Sequence, residues 1–407
     1  MLLGLASRSL RRNLTRTLVV VSTVFVGFVA VALFAGYTKV VFRGITDQAV
    51  HGEMLGHLTL SVPGLRLQGR LDPAKYLLAP GVEEQVRRLV SESNAGATVV
   101  PRLTVSGLIS NGKASTVFIA EGIRPQDMDV LRGPRARASG ALDAQRPTGI
   151  TLSRGLAQIL ALKTGDSVSL LSTTIEGQAN AVDAEVIDTF STGNAGTNDK
   201  AIYMPLDLAR QLADSDGRFV RLTVLLPQVS QTMDLQAELG PRLQAAGLAL
   251  EVENWQVLSS VYRQVKGLFD MIFAFMLAII VAIVAMSIAN SMAMSVIERT
   301  REVGTLRAIG MTRERVAGMF VLEAMLMVLA ACALGAVAVV GLEALINALD
   351  ISYRPPNATE LVRLRIDIDW VKSAGAAVLM TALGTLAAFL PARRAGKQSI
   401  PTALAHV

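Results

Sequence analysis

Residues 271–297 read MIFAFMLAIIVAIVAMSIANSMAMSVI, 27 residues without a charged side chain. A helix needs about 20 predominantly apolar residues to cross a hydrocarbon layer of about 30 Å. At 1.5 Å per residue this run would reach about 40 Å, so it is long enough to protrude from the layer or to tilt within it. Protrusion is the expectation.

Three further charge-free runs flank it: Thr17 to Thr38, Ala324 to Leu342 and Ser373 to Ala392. The composition agrees: 51% of the 407 residues are hydrophobic, only 18% are charged and the mean hydropathy is +0.45. That is too apolar for a soluble domain of this size. The fold class expected is an α-helical membrane protein with four transmembrane helices plus a large mixed α/β periplasmic domain between the first and second spans.

Charge sets the orientation, because Lys and Arg next to spans favour the cytoplasmic side. The N-terminal segment carries Arg8, Arg11, Arg12 and Arg16. The loop after the second span carries Arg299, Arg301, Arg307, Arg313 and Arg315 against Glu298, Glu302 and Glu314, and the tail carries Arg393, Arg394 and Lys397. Twelve basic residues thus face three acidic ones, whereas Lys39 to Lys266 holds 23 of each and is neutral. Both termini are expected in the cytoplasm and the large domain in the periplasm, in a cell inner membrane. Ala30-Val31-Ala32 has the pattern of a signal cleavage site, but the apolar run continues past it to Tyr37, so a retained anchor is the expectation.

The expected division is 1–16 cytoplasmic N-terminus, 17–38 first span, 39–266 periplasmic domain in two subdomains and 267–297 second span. Then come 298–315 cytoplasmic segment, 316–342 third span, 343–372 periplasmic loop, 373–392 fourth span and 393–407 cytoplasmic tail. In the periplasmic domain, Arg102 to Ile123 reads as a hairpin with Asn111-Gly112 as its two-residue turn. Ser153 to Leu162 reads as a helix, Ser167 to Phe190 as a second β unit, and Arg221 to Leu226, Asp234 to Ala246 and Leu248 to Val252 as a βαβ-like unit. Turn-rich Arg132 to Thr148 is read as the subdomain boundary, and Ser191 to Lys200 as a mobile surface loop with a functional protrusion as the alternative. Trp255 to Asp270 repeats apolar residues at helical spacing and is expected to run as one helix into the second span, with an amphipathic helix resting at the interface as the alternative.

Catalytic and metal chemistry find no purchase. Three His and a single Cys, Cys332, leave little for a zinc site. His51 and His57 are not at a metal pair's helical spacing and read as structural, and Asp127 and Asp129 read as part of a solvated extended segment. Glu343, Asp350, Asp367 and Asp369 read as solvated beyond the membrane edge. Glu323 stands inside the third span, where a charge costs roughly 2.5 to 3.5 kcal/mol at the centre, so it is expected to face protein and bond to a neighbouring helix, with a direct role in movement as the alternative. The net charge of +6 does not gather on a folded domain among aromatics, which argues against nucleic acid.

The segment after the second span reads Glu298-Arg299-Thr300-Arg301-Glu302-Val303-Gly304-Thr305-Leu306-Arg307-Ala308-Ile309-Gly310. Val303, Leu306 and Ile309 are expected to form one apolar stripe on a short helix that Gly310 stops, with Thr312 capping the next helix. This run strongly resembles the coupling segment of the ABC permease superfamily that includes the macrolide exporter MacB, the lipoprotein-release permeases LolC and LolE, and FtsX. The likeness extends to Asn254-Trp255-Gln256, Phe320-Val321-Leu322-Glu323-Ala324, Pro391-Ala392-Arg393-Arg394-Ala395 and Ile400-Pro401, and to the order of spans and domain. Thr305 stands where a bulky aliphatic is common in such segments.

The resemblance implies that Glu298 to Gly310 holds the helix that docks into a cleft of a cytosolic ATPase. With no G-x-x-x-x-G-K-[ST] loop in the sequence, ATP and Mg are expected on that partner, and the chain itself is expected to bind no cofactor and to be no enzyme. The chain begins 16 residues before its first span, which departs from the fused ATPase of MacB and matches the stand-alone permeases. A dimer, with itself or with a related permease, is implied. The likeness to the lipoprotein-release permeases makes lipoprotein or another lipophilic cargo the first expectation, with a periplasmic carrier. The alternatives are MacB-like efflux of drugs or peptides through a periplasmic adaptor, FtsX-like signalling, and a receptor that uses no ATP.

Overall fold

Apolar residues at four-residue spacing, backed by small ones, decide how the membrane part packs. The computed structural model describes residues 14–69, 72–133, 139–354, 359 and 361–397. In it the four charge-free runs lie within helices Leu14–Asp47, Ser260–Glu298, Arg313–Ala348 and Trp370–Lys397. Each is long and apolar enough to cross a membrane. Each also outruns its charge-free stretch, because hydropathy marks the apolar part of a helix while backbone hydrogen bonding continues into polar sequence. At 39 residues the second span helix measures about 58 Å. Arg8, Arg11, Arg12 and the Ile400-Pro401 ending lie outside the described residues.

One buried face per helix makes the shared core: Val20, Val24 and Phe28; Val284, Ile288 and Met292; Phe320, Ala324 and Met327; Met380, Ala388 and Ala392. These recur at i, i+3 or i+4, one face of a helix. In lipid no hydrophobic gain drives helices together, so close approach at small residues does. A Cβ at Gly335 would lie 2.6 Å from the Phe28 ring, and one at Gly384 2.7 Å from Ile288.

The expected single helix from Trp255 into the second span is corrected. Trp255–Leu258 forms a separate turn started by Asn254, whose side chain accepts from the Val257 amide. Ser259 is extended (ψ 108°), and its hydroxyl accepts from the Tyr262 amide at 3.3 Å to restart the helix at Ser260. Two local caps therefore outweigh the periodicity. Val257, Val261 and Leu268, expected on the apolar stripe, stand exposed.

Residues Gly44–Gln264 with Tyr353–Val362 form a second unit. Its strands are β1 (Leu58–Ser61), β2 (Thr98–Ser110), β3 (Ser115–Ile123), β4 (Gly149–Ser153), β5 (Ser167–Thr173), β6 (Ala179–Phe190), β7 (Ala201–Pro205), β8 (Arg221–Leu225) and β9 (Glu251–Asn254). They pair in the order β3-β7-β4-β6-β5-β2-β8-β1-β9, and β3 also returns to β2. Strands β2 to β7 thus close a ring without free edges, while β8, β1 and β9 extend from it as an open sheet.

Strand β2 belongs to both parts. Its residues 98–102 pair with β8 and its residues 103–110 with β3. The division between lobes therefore falls inside this strand, at Arg102 and Leu103, and not at Arg132 to Thr148. The described part of that stretch joins β3 to β4 within the ring. The ring is filled by Ile109, Phe118, Leu170, Val186 and Ile202 under helix Leu206–Ala213. The open sheet packs Leu58, Leu60, Leu222 and Val224 against Val86 and Val90 of helix Pro80–Ser93 and Leu235 and Leu239 of helix Thr232–Ala245. A third cluster sets Ala49 and Val50, just past the first span helix, with Trp255, where the chain leaves the sheet.

Sequence and structure differ locally for identifiable reasons. The hairpin forms, but its turn centres on Gly112-Lys113, one residue later than expected. Asn111 stays paired with Ala114, and its carboxamide oxygen accepts from the amides of Lys113 and Ala114. The helix expected at Ser153 to Leu162 is shorter, Arg154–Ile159, because Ser153 ends β4. The βαβ-like unit is β8, helix Thr232–Ala245 and β9, with β1 paired antiparallel between the two strands. Its last strand starts later than expected because Gly247, at φ +74°, closes the helix and the Leu248 amide bonds back to Leu243.

Loop Ser191 to Lys200, expected as mobile, is hydrogen-bonded on three sides. Gln48 Nε2 donates to the Thr192 carbonyl at 2.8 Å, the Ser191 and Thr359 hydroxyls meet at 2.8 Å, and the Leu156 amide donates to Asn198 at 3.1 Å.

Candidate functional site: the segment between the second and third span helices

The second span helix ends at Glu298, and Arg299 breaks it with φ −105° and ψ 14°. A separate helix, Thr300–Ala308, follows. Gly310, at φ +102°, stops it in a conformation that side chains disfavour, and the Thr312 hydroxyl accepts from the Arg315 amide to start the third span helix. Both punctuation marks lie where the sequence placed them.

The two faces of this helix have different tasks. Thr300, Val303 and Gly304 are buried, Val303 at 1% exposure among core residues of the four span helices. Arg301, Thr305, Ala308, Ile309 and Gly310 are exposed, with Ile309 at 79%. Glu302, Leu306 and Arg307 lie between these extremes. The expected single apolar stripe is therefore corrected: Val303 points inward and Ile309 outward. Six residues along a helix turn the side chain by about 120° from where it began, so a strict three-residue repeat cannot stay on one face.

Ion pairs hold the segment in place. Arg16, on the first span helix, makes a bidentate pair with Glu298. Arg299 Nε donates to Glu302 at 3.0 Å and its Nη1 to Glu323 at 3.1 Å, and its guanidinium lies 5.5 Å from the centre of the Phe320 ring. Glu323 is 5% exposed, so the carboxylate in the third span faces protein and bonds across helices as expected. No feature of the sequence showed that its partner is Arg299, because the two are brought together only by the break after Glu298.

The other singled-out residues lie elsewhere. His57 is buried and its Nδ1 accepts from the Leu226 amide at 3.0 Å, while His51 Nδ1 lies 3.0 Å from the Leu131 carbonyl. Burial, then the neighbouring His51, pushes His57 down to about 4. Asp127 and Asp129 are not in an extended segment: they sit on consecutive helical turns, and Asp127 accepts from Arg124 Nε at 2.6 Å. Asp367 is likewise not simply solvated, since Lys39 and Arg43 donate to it at 2.9 Å each. The Lys39 hydrogen bond is the main cause that holds its carboxyl below the usual range.

One site of strong electrostatics escaped the sequence. Arg102 is 1% exposed and pairs through Nη2 with Glu121 at 2.7 Å, and Arg221 donates to the same carboxylate at 2.5 Å. Burial alone would raise Glu121, but the two arginines and the hydroxyl of Thr104 hold it down at about 2. Burial in turn lowers Arg102 to about 10. The closest approach to a phosphate-binding loop, Gly107 through Gly112-Lys113-Ala114, lies in the β2–β3 hairpin, with no helix following to receive a phosphate.

Four apolar helices, a domain inserted after the first and a punctuated helix before the third define a multi-pass permease-type membrane protein. A family model for the FtsX-like permease C-terminal region matches residues 274–400, and one for the MacB-like periplasmic core domain matches residues 17–242. The chain belongs to the MacB/FtsX superfamily of ABC-type permeases. No curated protein sequence matches it. Among solved structures, the extracellular domain of the noncanonic ABC-type transporter YknZ from Gram-positive bacteria is 17% identical, with a TM-score of 0.33, covering 49% of this chain and 99% of that one. The periplasmic region of MacB from Actinobacillus actinomycetemcomitans is 15% identical, with a TM-score of 0.35, covering 51% of this chain and 92% of that one.

Proposed function

We propose that the chain is the membrane half of an ATP-driven machine whose helix Thr300–Ala308 docks into a cleft on a separate cytosolic ATPase. The observation that carries this is the exposed tip of that helix, Arg301, Thr305, Ala308 and Ile309, on a body whose opposite face is locked into the bundle. Ile309 supplies an exposed apolar anchor, and the exposed Arg301, Arg313 and Arg315 flank it in the sequence. Such a surface suits an apolar cleft with an acidic rim. ATP and Mg belong to the partner, and two copies of the ATPase would serve a dimeric permease, formed with itself or with a related chain.

The cargo proposed is a lipoprotein or another lipophilic molecule, drawn from an inner membrane and handed to a carrier or adaptor in the periplasm. Photocrosslinking from exposed Val257 would identify it, and recovery of water-soluble peptides alone would turn the reading towards efflux.

Ile309→Asp places a charge in the anchor without touching the core. The ATPase that travels with the purified wild-type chain is expected to fall at least tenfold in yield, while membrane insertion stays unchanged. Retention of the ATPase at wild-type yield would remove this docking surface from the account.

A further inference from the structure

The ends of the span helices show what the docking helix is fastened to. It is not a continuation of the second span helix, since Arg299 breaks the chain between them. Nor is the second span helix well enclosed: Met271, Phe275, Ile279, Ile283 and Met286 are between 44% and 69% exposed along it. Val303 sits in the core that all four span helices share, with Val296 of the second, Val316 and Phe320 of the third and Ala392 and Ala395 of the fourth, and the Thr300 hydroxyl donates to the Val296 carbonyl at 3.0 Å. The base of the third and the end of the fourth are in close contact, for a Cβ at Gly396 would lie 2.7 Å from the Arg313 carbonyl oxygen. Arg299 completes the attachment, with Glu302 on the docking helix, Glu323 on the third span helix and the Phe320 ring all holding one guanidinium.

A carboxylate inside a span is expensive unless it is paired, and a guanidinium fixed by two carboxylates and a ring has little freedom left to reorient. We propose that Glu323 is a positioning residue: through Arg299 it clamps the docking helix to the third span helix. Displacement imposed at the docking helix is then delivered directly to the third span helix. This inference rests on the proposed docking of an ATPase, but it concerns the path of the force and not the docking surface, which Glu323 does not reach.

The test uses the full chain purified with its ATPase. Glu323→Gln is expected to keep ATPase yield and the KM for ATP within twofold of wild type and to lower kcat at least fivefold. Glu323→Asp, which keeps the charge, is expected to recover at least half of kcat. Amide exchange over residues 303–309 is expected to rise at least tenfold in Glu323→Gln. Phe320→Leu removes the ring beneath the guanidinium while keeping an apolar side chain in the shared core, and it is expected to lower kcat in the same sense. Unchanged turnover in Phe320→Leu overturns the clamp even if Glu323→Gln does not fold. Unchanged kcat and exchange in Glu323→Gln overturn it as well. Loss of the ATPase from Glu323→Gln overturns the clamp and leaves the docking reading standing, whereas a wild-type preparation without any ATPase overturns both.

Discussion

Arg102 has no access to water and relies on Glu121 and the Met54 carbonyl for its compensation, so the pair is asymmetric in its consequences. Keeping it contributes little beyond what a well-packed apolar pair would, whereas removing one partner strands a buried charge at a cost of about 3–5 kcal/mol. Glu121→Leu is expected to destabilise the inserted domain by that amount in urea melts followed by tryptophan fluorescence, and Arg102→Met added to it should recover a large part. If the double variant is no more stable than the single one, the stranded-charge argument is wrong. His57 gives a pH dependence. Its folded value of about 4 lies below the unfolded value near 6.5, so the unfolded chain binds more protons between them. Stability is therefore full above about pH 6.5 and falls as the pH drops towards 4. His57→Asn keeps an acceptor for the Leu226 amide and loses the titration, so its melting temperature should show a flatter pH profile over that range. An unaltered profile would assign the acid sensitivity to other groups.

Among the elements, loop Ser191 to Lys200 shows most directly how local composition can mislead. Gly, Asn, Ser and Thr usually mark a solvated loop, yet the same residues offer backbone and hydroxyl groups that distant side chains can bind. A Cβ at Gly193, whose φ is +76°, would lie 2.9 Å from the Gln48 carboxamide oxygen, and Thr359 approaches from far along the chain. Thr359→Val removes the hydroxyl that meets Ser191, and amide exchange at 192–199 should then rise several-fold while β6 and β7 stay protected. No change would show that Gln48 and the Leu156 amide hold the loop without Thr359. The short helix after Arg299 was legible because its start and stop are written in adjacent residues, as are the Gly112 turn and the apolar spans. The ring of strands was not legible, since β2 meets β8 some 120 residues downstream through its first half and β3 through its second. Hydropathy alternation places a strand's faces but carries no name for its neighbour. Ile309 was misplaced for a related reason, because a three-residue repeat was treated as a face when the helix turn had already carried it outward.

At the scale of the whole chain, one asymmetry organises the molecule: the segments before the first span, between the second and third and after the fourth carry twelve basic residues against three acidic ones, while Lys39 to Lys266 is neutral. A neutral domain crosses a membrane readily, and arginines close to the spans resist crossing. The docking helix and the β2–β3 hairpin should therefore face opposite compartments, which is the geometric condition for any machine driven by cytosolic ATP that acts outside. Cysteines at Thr305 and at Lys113, both exposed, test this one at a time in a Cys332→Ala background. In intact spheroplasts an impermeant maleimide should label Lys113→Cys fully and Thr305→Cys only after the membrane is permeabilised. Equal labelling of both from outside would place the docking helix beside the inserted domain, beyond the reach of a cytosolic ATPase.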